Sequence, residues 1–159
     1  MAKDIKNQVN EKVVARNKKA HHDYFVLDTL ECGIILVGTE IKSIRLGNVS
    51  IQDAYCQVKN NNLFIYDMHI GKYNMGNIFN HAEKRDRILL AHKKEVRKLA
   101  QKVKLEGLTI IPLSLYFVRG LLKVEVALCK GKKLHDKRQD QAIKDINRAI
   151  DRATKNRGE

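Results

Sequence analysis

His81, Glu83, Asp86 and His92 crowd one stretch of the chain, and imidazoles beside carboxylates are the side chains of a metal-dependent nuclease. Their spacing matches no metal-ligand pattern. Lys84, Arg85 and Arg87 also stand among them, where fixed positive charge opposes a bound cation. A phosphate-cradling loop is missing as well, because Gly38 and Gly47 lack the lysine and serine arrangement it needs. Cys32, Cys56 and Cys129 are odd in number, far apart and set in apolar runs. Such cysteines are expected as buried, reduced thiols rather than as a disulfide framework or a zinc site. The residues therefore predict no catalysis, no metal and no cofactor. A metal-dependent nuclease is kept as the alternative from another functional class.

The chemistry that the composition does offer is attraction to polyanions. Lys and Arg number 31 against 18 acidic residues, a net charge of +13. An excess of this size favours phosphates through Coulomb attraction and counterion release, well ahead of a merely solvated basic surface. A membrane surface would attract it too. However, the longest nearly apolar run, residues 108–118, is too short to span a bilayer. Residues 1–10 are polar, without the apolar stretch of a signal peptide, so a cytoplasmic protein is expected. The cations fall into two zones. Residues 84–104 carry nine Lys or Arg against two acids, and residues 130–159 carry ten against five. Two zones can hold a large folded polyanion at two places. His22, Tyr24, Tyr55 and Tyr73 could stack on unpaired bases, although a core role is the better reading of each aromatic alone.

These residues need elements to position them. Residues 1–20 show little periodicity and read as a basic arm. Residues 24–37 hold two apolar stretches meeting at Glu31-Cys32-Gly33, a bent strand or a hairpin. Ile41 and Ile44 mark a short helix stopped by Gly47. Ala54, Cys56 and Val58 alternate with polar neighbours. After the turn Asn60-Asn61-Asn62 a second strand runs over residues 63–70. Residues 71–86 form a polar loop with Asn74, Asn77, Asn80 and His81. Val96, Leu99 and Val103 give a helix with a cationic outer face, ending at Gly107. Two further strands follow, residues 108–118 with Pro112 at an edge or bulge, and residues 122–128, paired across Arg119-Gly120. The expected fold is mainly β: a small closed antiparallel β-barrel, OB-like, with short helices. A twisted open sheet with a packed helix is the competing architecture.

Composition changes after Lys130. Residues 1–130 read as the barrel with its N-terminal arm, and residues 131–159 as a basic tail with too little apolar surface for its own core. Disorder in isolation is expected there. Yet Ile143, Ile146 and Ile150, with Ala142, Ala149 and Ala153, share one helical face, opposite Lys144, Arg148, Arg152 and Lys155. This is an amphipathic helix that needs a partner.

Ordered blocks of residues carry a resemblance. They are Asn17-Lys18-Lys19-Ala20-His21-His22-Asp23-Tyr24, Gly38-Thr39-Glu40-Ile41-Lys42-Ser43-Ile44-Arg45, Asp53-Ala54-Tyr55, Asn80-His81, Arg85-x-Arg87, Leu89-Leu90 and Gly131-Lys132-Lys133-Leu134-His135-Asp136-Lys137-Arg138. Together they resemble the small protein B family, in order from about residue 13 to residue 155. The chain departs from the family at Ala82-Glu83-Lys84, where a proline is usual, and at Ile88, where a basic residue is common. The resemblance implies an OB-like barrel that binds the tRNA-like domain of transfer-messenger RNA and enters stalled ribosomes with it, acting as a monomer. It implies an RNA-facing side of Asn17, Lys18, Lys19, His22, Tyr24, Glu31, Glu40, Lys42 and Arg45, together with Arg85, Arg87 and Leu90. For the tail it implies a helix in the vacant messenger channel near the decoding centre, with Lys132, Lys133, His135, Asp136, Lys137, Arg138 and the three isoleucines serving the ribosome. A structural ribosomal RNA-binding protein is the other alternative that the basic surface leaves open.

Overall fold

The computed structural model describes residues 11–74 and 80–157. Expectations for residues 1–10 and for Asn77 lie outside them. In chain order the elements are β1 (Glu11–Arg16), α1 (Lys18–Asp23), β2 (Tyr24–Ile34), α2 (Gly38–Arg45), β3 (Val49–Ser50), β4 (Tyr55–Lys59), β5 (Asn62–Tyr66), β6 (His69–Ile70), β7 (Arg87–Leu90), α3 (Lys93–Glu106), β8 (Thr109–Val118), β9 (Leu121–Gly131) and α4 (Leu134–Arg157). The chain is mainly β with short helices around one seven-stranded sheet.

All the pairings are antiparallel. The sheet order is β1-β8-β4-β5-β7-β2-β9, and β9 pairs with β8 as well as with β2. The succession β8-β4-β5-β7-β2-β9 thus returns to its first strand. Two hairpins follow from turn residues that tolerate positive φ. Asn60 and Asn61 (φ 51° and 62°) link β4 to β5, and Arg119 and Gly120 (φ 51° and 79°) link β8 to β9. Consecutive positive φ values match the right-handed twist of the flanking strands.

Pro112 sits beside a bulge, as its missing N–H requires: the β8–β9 register shifts between Pro112 and Ser114. The shift swaps faces. Ile110, Leu115 and Phe117 enter the main core with Leu63, Ile65, Val124, Val126 and Leu128, while Ile111 and Leu113 turn the other way. There they join Ala20, Ala127 and Cys129 in a second cluster beneath α1. All three cysteines are free and buried. Val96 and Leu99 dock α3 on the main core, and Gly107 ends that helix in the left-handed region at φ 64°.

Two expectations change, over residues 11–16 and 63–70, and one alternative is decided. Residues 11–16 are a strand, not a loose arm, because Val13, Val14 and Ala15 let the segment pair along β8. Of the two readings of residues 24–37, the single strand holds rather than the hairpin: residues 24–34 run as one strand that pairs with β9 and, from Gly33, with β7. The strand expected over 63–70 breaks at Asp67 (φ 57°). It resumes as β6, which pairs with β3 in a separate two-stranded sheet. The tail pattern lies inside a longer helix, Leu134–Arg157.

Candidate nucleic-acid interface

Asn17 builds the first group. It is 4% exposed, and its carboxamide accepts from Ala20 N–H (3.2 Å) while donating to the carbonyls of Ile51 (3.3 Å) and Pro112 (3.1 Å). This cap starts α1 and pins it to the sheet. Lys18, Lys19 and His22 are left exposed on the helix. Below them an open cleft of about 430 Å³ is lined by Lys19, Tyr24, Gln52, Asp53, Tyr55 and Ile111. Tyr24 and Tyr55 are half-buried against the second cluster, and the Tyr55 ring stacks on Tyr66 at 5.4 Å between centroids.

Glu40 builds the second group, from inside. Its side chain is fully buried and accepts from Val37 N–H (3.0 Å), Arg85 Nη2 (2.6 Å) and Arg87 Nε (2.5 Å). Arg87 is equally buried and donates further to the carbonyls of Met68 (2.8 Å), Arg85 (3.0 Å), Glu83 (3.3 Å) and Ala82 (3.5 Å). Burial alone would raise the Glu40 carboxyl. The hydrogen bonds from Arg85, Val37 and Arg87 outweigh it and hold the group below its ordinary range. The network ties α2 to the segment 80–87, and His81 adds to it: its ring nitrogens meet Thr39 Oγ1 and the Ile70 carbonyl, both at 2.9 Å. Lys42 and Arg45 project from the opposite side of α2. They lie 5.5 Å over the Tyr73 ring and 5.9 Å over the Phe117 ring.

A third group lies on β2 and its neighbours. Glu31 is exposed and accepts a hydrogen bond from the Tyr116 hydroxyl. Gly33 pairs with Leu90 on one side and Lys123 on the other, and Leu90 is 54% exposed. In the tail, Lys133, His135 and Arg138 are exposed, and so are Ile143, Ile146 and Ile150. Lys132, Asp136 and Lys137 are partly covered.

The structure therefore divides the expected RNA-facing residues. Lys18, Lys19, His22, Glu31, Lys42, Arg45 and Leu90 are exposed, and Tyr24 and Arg85 are partly so. Direct contact does not fit Asn17, Glu40 and Arg87, which are buried with their polar atoms engaged inside the fold. They hold α1 and α2 in place instead. Sequence reasoning missed Tyr116 beneath Glu31 and Phe117 beneath Arg45, because cross-strand neighbours leave no local signal. The supposed metal ligands are separated: His81 serves Thr39 and Ile70, while Glu83 meets His69 Nε2 at 2.9 Å. Among the described residues no three His, Cys, Asp or Glu side chains converge as metal ligands.

Fold and surface together define a basic, mainly β protein with cations mounted on two short helices and a long terminal one. Residues 14–156 match the family described as SmpB protein. The SsrA-binding protein of Acetivibrio thermocellus is 52% identical over 155 residues, covering 98% of this chain and 97% of that one. That of Halothermothrix orenii is 53% identical over 150 residues, covering 94% and 97%. A solved structure described as "tmRNA-SmpB: a journey to the center of the bacterial ribosome" is 42% identical, with a TM-score of 0.63 over 75% of this chain and 84% of that one. The chain belongs to the SmpB protein family.

Proposed function

We propose that this protein binds the tRNA-like domain of transfer-messenger RNA and delivers it to stalled ribosomes for rescue by trans-translation, without catalysing a reaction itself. The observation that carries the reading is the near-full-length match to SsrA-binding proteins, combined with exposed cations on α1 and α2. Affinity comes from phosphates, shape and a few stacked bases, since side chains read the deep A-form groove poorly. Lys18, Lys19 and His22 on α1, and Lys42 and Arg45 on α2, supply the charge. The ring of strand pairings supports a closed OB-like barrel as their rigid mount. The tail, with Lys133, His135, Arg138 and the isoleucine stripe outward, is the ribosomal half. It occupies the messenger channel near the decoding centre, and the protein works as a cytoplasmic monomer.

A gel-shift titration against transfer-messenger RNA, with and without magnesium, tests the reading. The expected result is a shifted, intact RNA in both conditions. Magnesium-dependent cleavage that a chelator abolishes would replace it with a nuclease. Quantifying the protein across ribosome gradients separates rescue, which enriches it on stalled ribosomes, from a structural ribosomal protein present on all of them.

A further inference from the structure

The cations of α3 serve neither the core nor the surfaces on α1 and α2. Six Lys or Arg lie on this helix against two acids, Glu95 and Glu106. Lys93 and Lys94 sit in the first turn, where the helix dipole disfavours positive charge. Lys93 and Arg97, Lys94 and Lys98, and Lys98 and Lys102 stand four apart, where like charges repel. The fold gains nothing from them. Val96, Leu99 and Val103 dock the helix, and among the described residues only Lys102 of the six meets a carboxylate, Asp28 at 4.0 Å. A surface needed for solubility alone mixes its signs.

Helical spacing sorts the six into two rows. Lys94, Lys98 and Lys102 run down the flank that Asp28 answers. Lys93, Arg97 and Lys104 run down the other and span about 16 Å along the helix axis. This second row borders a groove of about 410 Å³, lined by Gln57 and Val58 of β4, by Ala100, Val103 and Lys104 of α3, and by Leu108. The groove opens where β4 and β8 pair at a single position, Cys56 with Ile110. Tyr55 and Thr109 line it and also line the cleft beneath α1, so the two depressions adjoin. Lys19 stands beside one and Lys104 beside the other. Helix α2 is elsewhere: Arg45 covers Phe117, about 20 Å from Ile110 along β8.

We infer that the row Lys93, Arg97 and Lys104 extends the RNA surface of α1 across the β4–β8 seam, gripping backbone phosphates without reading sequence. Charge complementarity selects the occupant. RNA presents its phosphates in a run, as the row presents its cations, and Tyr55 offers an unpaired base a ring where the two depressions meet. A lipid surface does not fit. Amphipathic helices that bind one turn an apolar face to it, and that face of α3 is spent in the core. The phosphates belong to transfer-messenger RNA or to ribosomal RNA, and the test separates these sources. The identity of the polyanion rests on the RNA-binding reading, whereas the placement of the row is independent of it.

The test uses full-length protein in salt titrations of binding to transfer-messenger RNA and, separately, to ribosomes. One variant carries Lys93→Gln, Arg97→Gln and Lys104→Gln. The other carries Lys94→Gln, Lys98→Gln and Lys102→Gln. Both lose three charges, and glutamine keeps helix propensity. The first set should flatten the slope by about 2–3 on the RNA that occupies the groove, at roughly 0.7–0.9 per phosphate, and the second by less than about 1. A photo-crosslinking residue in place of Gln57, which is exposed in the groove, should capture that same RNA. Lys93→Arg, Arg97→Lys and Lys104→Arg together keep the charge and should keep the parent slope. Flattening by this set as well would assign the effect to packing and overturn the inference. Equal losses from the two rows would overturn it too, as would a crosslink to protein alone. A parent that binds while the first set leaves both slopes unchanged would sink this inference only. A parent that binds neither RNA would sink it together with the proposed function.

Discussion

Replacing Glu40 by Gln keeps the side-chain volume but removes the charge that balances Arg87. In the native protein both side chains are fully buried, and Arg87 donates to four carbonyls besides Glu40. Removing one partner of a buried pair costs about 3–5 kcal/mol. The four carbonyls keep part of the guanidinium solvated, which argues for the lower end, about 3 kcal/mol. For a chain of this size that lowers the melting temperature by roughly 6–12 °C. Arg85→Ala should cost only about 1 kcal/mol, because that side chain is 34% exposed and screened. Denaturant titrations of Glu40→Leu, of Arg87→Met and of the two combined complete a cycle in which the double variant recovers most of the loss. The pH dependence has a definite sign. The folded Glu40 carboxyl is depressed, so its contribution is complete above the ordinary glutamate range and disappears as pH falls through the depressed value. Glu40→Gln should erase that acid-sensitive component. RNA binding adds a second readout: Glu40→Gln weakens affinity by loosening α2 while leaving the salt slope intact, whereas Lys42→Ala makes the slope shallower. A Glu40→Gln protein within about 1 kcal/mol of the parent would refute the argument that the buried pair holds α2 in place.

Reversing Lys18 and Lys19 to Glu should weaken RNA binding and flatten its salt dependence by roughly 0.7–0.9 for each phosphate no longer neutralised; an unchanged slope in filter binding would mean that both lysines are merely solvated. Truncation after Lys132, which keeps β9 whole along with its bonds to α1, should leave RNA affinity nearly intact but abolish peptide tagging on messenger-free ribosomes. Ile146→Pro, which keeps every charge, should disfavour the helix by roughly 3 kcal/mol and give normal RNA binding with poor tagging. Full tagging by that variant would show the tail to be a charged tether. Burial pushes the Cys32 thiol up to about 12 and the Cys129 thiol up to about 11, and raises Cys56 as well. All three should therefore react with a disulfide reagent at neutral pH only as fast as the protein unfolds.

Local patterns were readable wherever the structure is local. The β4–β5 hairpin, the α3 stripe with its terminal glycine and the bulge at Pro112 each rest on residues a few positions apart. Strand β1 was hidden because six residues with a charge at each end form no pattern until β8 lies beside them. The interface follows the same rule. That Lys18 and Lys42 carry charge at motif positions can be read from the chain. That Asn17 faces inward toward the Pro112 carbonyl, 95 residues away, cannot. Glu40 likewise meets its guanidinium partners 45 and 47 positions on. A buried ion pair and an exposed RNA contact use the same residue types, and only tertiary packing separates them.

The two longest strand alliances also set when the chain can fold. Glu11 pairs with Val118 and Tyr24 with Gly131, each pair 107 positions apart. At roughly 5–20 residues per second, about 5–20 s separate synthesis of the two members. Through that interval β1 lacks β8 and β2 lacks β9, and the inward residues of β4, β5 and β7 wait for a core that β8 and β9 must complete. Folding is therefore late, and dominated by contacts between the two ends of the body. Strand β9 follows the other strands in the chain, so the sheet closes only once β9 has left the ribosome.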